Sequence, residues 1–164
     1  MSGTFRIFCK AKSGCRKTQL LKKIKRVAEP VIYIVDDDKA NNYLTRIMLE
    51  DVGLNNFRQF RLVDEAIDEL KKTVAEKREE DYPLLILLDL NMPIKTGWDF
   101  LDEFRLIEKP YANKPNIYFL TSSDYRGDRE KSSSYPEILQ FLDKPISDEV
   151  ANWLKEKYFS PQFE

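Results

Sequence analysis

From Pro30 onward, the chain alternates between short apolar runs and longer segments whose apolar residues recur at helical spacing. Short apolar runs between polar turns are typical of buried β-strands, and the second pattern is typical of amphipathic helices. The predicted strands are residues 31–35, 56–60, 83–88, 117–121 and 138–142. The predicted helices are residues 38–52, 63–80 and 98–108, a short one within 124–135, and a last one that begins at Ser147. This alternation predicts an α/β fold, a parallel sheet with helices on both faces.

Turn and cap residues define the limits of the first and last of these helices. Asp38 is predicted to be the N-cap of the first helix and Gly53 its stop, while Ser147 caps the last helix. The inward faces are predicted from apolar spacing. They are Leu44, Ile47, Met48 and Val52 in the first helix, and Val150, Trp153, Leu154 and Tyr158 in the last.

Composition excludes several classes of active site. The chain has no histidine, so a Ser-His-Asp or Cys-His mechanism is excluded. The two cysteines, Cys9 and Cys15, are too few ligands for a structural zinc site. Any bound metal is therefore expected to be a hard cation held by oxygen atoms. No apolar run is long enough to span a bilayer and no secretory signal begins the chain, so we expect a cytoplasmic protein.

The charge is distributed unevenly along the sequence. Residues 1–29 carry nine Lys or Arg and one acid, whereas residues 30–164 carry 18 basic and 27 acidic residues. This change predicts a basic N-terminal extension over 1–29 and one folded domain over 30–164. Residues 17–29 could form a basic amphipathic helix that contacts a membrane surface, nucleic acid or an acidic partner. We favour the alternative, a flexible extension without a specific role.

Polar residues with distinct chemistry follow four of the five predicted strands. Asp36 and Asp37 come after the first strand, Asp89 after the third, Thr121 after the fourth and Lys144 after the fifth. Open parallel sheets bind ligands at the carboxyl ends of their strands, so we expect these side chains to lie together. An acidic turn, a strand-end threonine or a Lys-Pro pair is common in isolation. Their ordering along the chain favours a functional site.

Three neighbouring carboxylates repel one another unless a cation compensates them. With oxygen ligands alone, Mg²⁺ is the natural choice, and it prefers a phosphate oxygen among its ligands. A lysine beside a carboxylate and Mg²⁺ suits the formation of an acyl phosphate, with Asp89 as nucleophile. The expected chemistry is therefore phosphoryl transfer to an aspartate.

Four stretches, IYIVDDD, LLDLNMPIKTG, IYFLTSS and FLDKP, resemble the receiver domain of bacterial two-component response regulators. The resemblance extends from Pro30 to about Phe159 and is to the stand-alone, single-domain type. It implies a flavodoxin-like, doubly wound fold with a five-stranded parallel sheet in the order 2-1-3-4-5 and helices on both faces. One departure from the family pattern is Pro136, where a glycine often precedes the aromatic switch residue.

The resemblance also implies a role for each site residue. Asp89 would be the phosphoacceptor. Mg²⁺ would be bound by Asp36, Asp37, Asp89 and the backbone carbonyl of Asn91, with Asp37 as a direct ligand. Thr121 would be the switch hydroxyl, Lys144 the phosphate-binding lysine and Phe141 the aromatic switch residue. A cis Lys144-Pro145 peptide bond and a turn glycine, Gly97, are expected as well.

A receiver of this kind would take its phosphoryl group from a sensor histidine kinase or a histidine phosphotransfer protein. It would catalyse its own phosphorylation and dephosphorylation, as a signalling switch and not a conventional enzyme. The chain ends soon after the last predicted helix, so no DNA-binding output domain is expected. Output would pass to an unknown downstream protein, along a phosphate relay or through homodimerisation on phosphorylation.

Two other functions are compatible with parts of the sequence. One is an aspartate-based, Mg²⁺-dependent phosphohydrolase of the haloacid dehalogenase type, whose signature places a second Asp two residues after the nucleophile. Here that position is Asn91, although Asp36 and Asp38 have this spacing. The other is a nucleic-acid-binding protein that acts through the basic N-terminal arm.

Overall fold

The computed structural model describes residues 29–107, 114–122 and 130–159. The strands are β1 (Val31–Val35), β2 (Phe57–Phe60), β3 (Pro83–Asp89), β4 (Asn116–Thr121) and β5 (Ile138–Asp143). The helices are α1 (Lys39–Asp51), α2 (Val63–Ala75), α3 (Gly97–Leu106) and α4 (Asp148–Tyr158). Residues 130–132 are also helical, and Glu79–Asp81 form one 3₁₀ turn. Residues 1–28 of the predicted 1–29 extension, and the first half of the predicted helix at 124–135, lie outside the described residues.

All five strands are parallel, in the order β2-β1-β3-β4-β5, which confirms the predicted fold. Val35, the last residue of β1, lies opposite Phe60 on one side and Leu88 on the other. At the far edge, Thr121 lies opposite Asp143. This register brings the carboxyl ends of all five strands to one edge of the sheet.

The strands bury alternate side chains in two cores. One core, which includes Tyr33, Ile86 and Phe119, packs against α2 and α3. The other, which includes Ile34, Leu87 and Leu120, packs against α1 and α4. Full burial of a large apolar side chain is worth roughly 1.5–3 kcal/mol, so the sheet interior is rigid enough to fix the strand ends. None of the helices in the described ranges is long and apolar enough to cross a membrane.

Helix α2 ends five residues earlier than the predicted limit of residue 80. Lys77 adopts the left-handed conformation with φ of +56°. The N–H groups of Lys77 and Arg78 donate to the carbonyl oxygens of Val74 and Thr73, at 3.1 and 3.0 Å. This is a Schellman cap built without glycine. The sequence pattern therefore gave no stop signal at this position.

The predicted inner faces of α1 and α4 are partly wrong. In α1, Leu44 is 39% exposed, and the buried side chains are Asn42, Thr45 and Leu49. In α4, Trp153 lies at the edge of the core, where its ring packs edge-on against Tyr118. The predicted strand limits agree with the structure to within one residue. The N-caps Asp38 and Ser147 and the left-handed Gly53 after α1 are as predicted.

Helix α3 begins with a reciprocal capping box. The Asp99 carboxylate accepts hydrogen bonds from the N–H and the hydroxyl of Thr96, both at 2.7 Å. The Thr96 hydroxyl in turn accepts from the Asp99 N–H. The hydrogen bonds from the Thr96 side chain and then its backbone hold the pKa of Asp99 below the ordinary value.

We expect Asp99→Asn to lower stability at neutral pH by about 0.5–1 kcal/mol. An aspartate whose pKa is lower in the folded state adds stability above its unfolded pKa of about 3.9, and that contribution is lost as pH falls further. The difference from wild type should therefore shrink as pH falls below 4. Urea unfolding between pH 7 and pH 3 measures this, with Asp68→Asn on the exposed face of α2 as control. A difference that is constant with pH would contradict the expectation.

Candidate functional site

The turn after β1 places two acids at the carboxyl edge of the sheet. Asp36 is fully buried, and its Oδ1 accepts a hydrogen bond from the Asp38 N–H at 2.9 Å. Asp37 is half-buried. Asp38 turns away from these two, because its carboxylate caps α1 by accepting from the N–H of Ala40 at 2.7 Å. The acidic triplet therefore divides into one helix cap and two residues available to the site.

Lys144 joins the ends of three strands. Its Nζ lies 2.7 Å from Asp36 Oδ2 and 2.8 Å from Asp89 Oδ2, and the lysine side chain is only 7% exposed. One carboxylate oxygen from each of Asp36, Asp37 and Asp89 lies within 4.8 Å of the others. The predicted acids and lysine thus converge on one point from β1, β3 and β5.

Burial raises the pKa of Asp36 above its ordinary value, and the nearby Asp89 charge acts in the same direction. The hydrogen bond and charge of Lys144 oppose this rise. The Lys144 ammonium group therefore contacts two of the three clustered carboxylates, Asp36 and Asp89, and Asp37 lies beside them. The remaining negative charge and the all-oxygen donor set fit a hard divalent cation such as Mg²⁺. The sequence-predicted donors Asp36, Asp37 and Asp89 fit this group.

Asn91 follows Asp89 in the loop between β3 and α3. Its N–H donates to Asp89 Oδ1 at 3.0 Å, which fixes that carboxylate at the sheet edge. The backbone of Asn91 is therefore adjacent to the acid cluster, and its side chain is exposed. Its predicted carbonyl contact with a metal remains a prediction.

Thr121 ends β4 next to this cluster. Asp89 lies opposite Leu120, so Thr121 reaches the same edge of the sheet, and its side chain is buried. Its carbonyl oxygen accepts from the Lys144 N–H at 2.9 Å. The Lys144-Pro145 peptide bond is cis, as the resemblance implied.

Phe141 lies on β5 and is half-buried. Its ring centroid is 5.6 Å from that of Phe119, which in turn lies 4.9 Å from Trp98. A row of aromatic rings therefore connects the predicted switch residue to the start of α3. Phe141 is packed at the edge of the core and not within it.

Position 97 has no room for any side chain, so only glycine fits there. It forms no left-handed turn, unlike Gly53. A Cβ atom at Gly97 would collide with the Phe119 ring and lie 2.9 Å from the carbonyl oxygen of Asp89. The helix α3 can start this close to the acid cluster only because residue 97 has no side chain.

We expect Gly97→Ala to lower stability by about 1–3 kcal/mol, since overpacking forces neighbouring groups to move. It should also slow any reaction at Asp89, whose backbone is one of the groups displaced. Gly53→Ala is the matched control, because its left-handed backbone (φ +84°) makes it destabilising at a distance from the site. Urea unfolding and phosphorylation rates measured on both variants test this. Equal phosphorylation rates in the two would contradict the expectation.

Sequence reasoning missed two residues that contact the acidic turn, residues 36–38, and a third that supports one of them. Asn42 on α1 donates to the Asp36 carbonyl oxygen, and Arg61, which follows β2, donates to that of Asp37. Gln59 on β2 contacts Asn42 and not the turn itself. One sequence signal could have identified Asn42, because it lies two helical turns before the buried Leu49 and so on the same face of α1. A search for apolar residues at helical spacing does not select a polar residue on that face.

The sequence model of the response regulator receiver domain matches residues 32–152. The chain belongs to the response regulator receiver domain family. Receiver domains of two-component response regulators are phosphorylation-dependent signalling switches, and they interact with histidine kinases or phosphotransfer proteins. They bind Mg²⁺ at a cluster of acidic residues, and the acid cluster of this receiver lies at the strand ends described above.

Solved structures of other receivers have the same fold. A two-component response regulator from Cytophaga hutchinsonii is 25% identical, with a TM-score of 0.68 over 79% of this chain and 96% of its own. A response regulator receiver protein from Dyadobacter fermentans is 26% identical, with a TM-score of 0.66 over 80% and 98%. The receiver domain of the histidine kinase CKI1 from Arabidopsis thaliana, complexed with Mg²⁺, is 22% identical, with a TM-score of 0.66 over 78% and 91%. Among curated proteins, none matches this receiver.

Proposed function

We propose that this receiver accepts a phosphoryl group on Asp89 from a sensor histidine kinase or a histidine phosphotransfer protein. The observation that carries the proposal is the Lys144 ammonium group, which contacts both Asp36 and Asp89 beside the carboxylate of Asp37. An oxygen of Asp89 attacks phosphorus, and the bond between phosphorus and the donor nitrogen breaks. The nitrogen leaves with the electron pair and takes up a proton. Water later hydrolyses the acyl phosphate and restores Asp89.

We propose Asp36, Asp37, Asp89 and the Asn91 carbonyl as the Mg²⁺ ligands. When bound, Mg²⁺ would neutralise phosphoryl oxygens during transfer. Asp36 is buried and held by the Asp38 N–H, so its contribution is a fixed negative charge. Asp37 is more accessible and is assigned as a direct ligand. Lys144 then exchanges its contact with Asp89 for one with the new phosphoryl group.

The switch is assigned to Thr121 and Phe141. The Thr121 hydroxyl would donate to a phosphoryl oxygen on Asp89, and the half-buried Phe141 would then move inward beside Phe119. This shifts the population between two arrangements of β4 and β5 and leaves the fold unchanged. The role is signalling in the cytoplasm, with output through a downstream protein, a relay or a second copy of the chain.

Mass spectrometry of the intact protein tests this function, after incubation with Mg²⁺ and acetyl phosphate. We expect one added phosphoryl group, which is absent without Mg²⁺ and absent in Asp89→Asn. Asp143→Asn is the matched control, because Asp143 ends β5 next to Lys144 but lies outside the acid cluster. An adduct that persists in Asp89→Asn, or none in wild type, would contradict the proposal.

A further inference from the structure

The end of β2 contributes no carboxylate to the site, but the buried side-chain amide of Asn42 links it to the acidic turn. Asn42, on α1, is 3% exposed. Its Nδ2 donates to the carbonyl oxygen of Asp36 at 3.0 Å and to that of Phe60 at 3.2 Å. Gln59 Nε2 donates to Asn42 Oδ1 at 2.6 Å and to the Asn42 carbonyl oxygen at 3.0 Å. A buried side-chain amide thus uses both donor hydrogens and its acceptor.

These bonds hold the backbone of Asp36 from both sides. The Asp36 N–H donates to the Phe60 carbonyl oxygen at 3.1 Å, and the same oxygen accepts from Asn42. The Asp36 carbonyl oxygen accepts from Asn42 as well. The peptide groups before and after Asp36 are therefore both fixed relative to β2. Rotation of either one would move the carboxylates of Asp36 and Asp37.

Arg61 adds a contact at the outer side of the turn. Its guanidinium group donates to the Asp37 carbonyl oxygen from Nη2 at 3.1 Å and from Nε at 3.3 Å. This contact is exposed to solvent, so it is weaker than the buried contacts of Asn42. Loss of the Asn42 amide would leave the carbonyl oxygens of Asp36 and Phe60 with one hydrogen-bond donor fewer each, and the bond to Asp36 is fully buried.

We propose that Asn42, oriented by Gln59, is a positioning residue that fixes the Asp36–Asp37 turn in the geometry that binds a divalent cation. The inference that Asn42 fixes the turn rests on the hydrogen bonds alone. The inference that this strengthens cation binding rests on the proposed function. Groups that orient metal ligands typically change metal affinity by about 10- to 100-fold when they are lost.

Asn42→Ala tests the proposal, with Thr45→Ala as matched control. Thr45 is buried on the same face of α1, one turn further along. The first readout is amide hydrogen exchange by NMR in the metal-free protein. Relative to the control, we expect the Asp36 and Asp38 amides to exchange at least about tenfold faster in Asn42→Ala. The second readout is Mg²⁺ affinity by calorimetry, which should fall about tenfold or more in Asn42→Ala and stay near wild type in Thr45→Ala.

Gln59→Ala supplies an independent check. It should weaken Mg²⁺ binding less than Asn42→Ala does, and it should add nothing in the double variant, because both act through the same amide. Full additivity would overturn the role given to Gln59.

Exchange at Asp36 and Asp38 that matches the control would overturn the proposal, whatever the Mg²⁺ result. Faster exchange with unchanged Mg²⁺ affinity would overturn its consequence for the cation. If wild type binds no Mg²⁺, the proposed function fails, and the exchange readout still decides whether Asn42 holds the turn.

Discussion

Lys144→Met is expected to lower the stability of the metal-free protein by about 3 kcal/mol at neutral pH. Breaking a buried ion pair on one side leaves an uncompensated charge, which typically costs about 3–5 kcal/mol. Here the lysine lies between Asp36 and Asp89, so its loss leaves both carboxylates without their cation. Urea unfolding in the presence of a chelator measures the effect.

Lys95→Met is the matched control for this prediction. Lys95 also contacts two carboxylates, those of Asp64 and Glu103, but its side chain is 35% exposed. Exposed ion pairs contribute about 0–1 kcal/mol, so the control should lose far less stability. Adding Mg²⁺ should restore part of the loss in Lys144→Met by binding to the folded state. Equal losses in the two variants would contradict the account of Lys144.

Asp37→Ala is expected to reduce Mg²⁺ affinity by about tenfold or more. Loss of a residue that only orients a metal ligand typically costs about 10- to 100-fold in affinity, and loss of a ligand should cost at least as much. Phosphoryl uptake from acetyl phosphate should fall with it. The contact of Arg61 is with the Asp37 backbone oxygen, so the substitution leaves that contact in place. Isothermal titration calorimetry with Mg²⁺ measures the affinity directly.

Asp38→Asn is the matched control, because it removes a carboxylate from the same turn but not from the metal-binding cluster. Asparagine caps helices as well as aspartate does, so α1 should keep its cap. Asp38 lies outside the group of carboxylates that could bind a metal. Its variant should therefore bind Mg²⁺ as wild type does. A larger loss of affinity in Asp38→Asn than in Asp37→Ala would show that the ligands are misassigned.

The sheet and the acid cluster were predictable because strong, local signals specify them. Runs such as residues 31–35 and 84–88 are apolar throughout, which is typical of strands buried on both faces. In a parallel sheet the carboxyl ends meet at one edge, so the sequence alone predicts that Asp36, Asp89 and Lys144 lie close together. The strand order came from the family resemblance, and the structure confirms it.

The remaining features depend on tertiary contacts that a single sequence does not encode in an obvious pattern. Asn42 is buried because it bonds backbone carbonyls, so apolar spacing selected Leu44 instead, which is exposed. Lys77 ends α2 in a left-handed conformation that sequence patterns associate with glycine. Trp153 keeps one face at the surface, where the Lys157 ammonium lies 4.6 Å from the ring centroid.

The most direct test of the central claim is to locate the phosphoryl group. Borohydride reduces an aspartyl phosphate to homoserine, so trapping after reaction with acetyl phosphate and Mg²⁺, followed by peptide mapping, identifies the modified residue. We predict homoserine at Asp89 and at no other aspartate. Homoserine at Asp36 or Asp37, or a stable phosphate on a serine or threonine, would contradict the assignment of Asp89 as the phosphoacceptor.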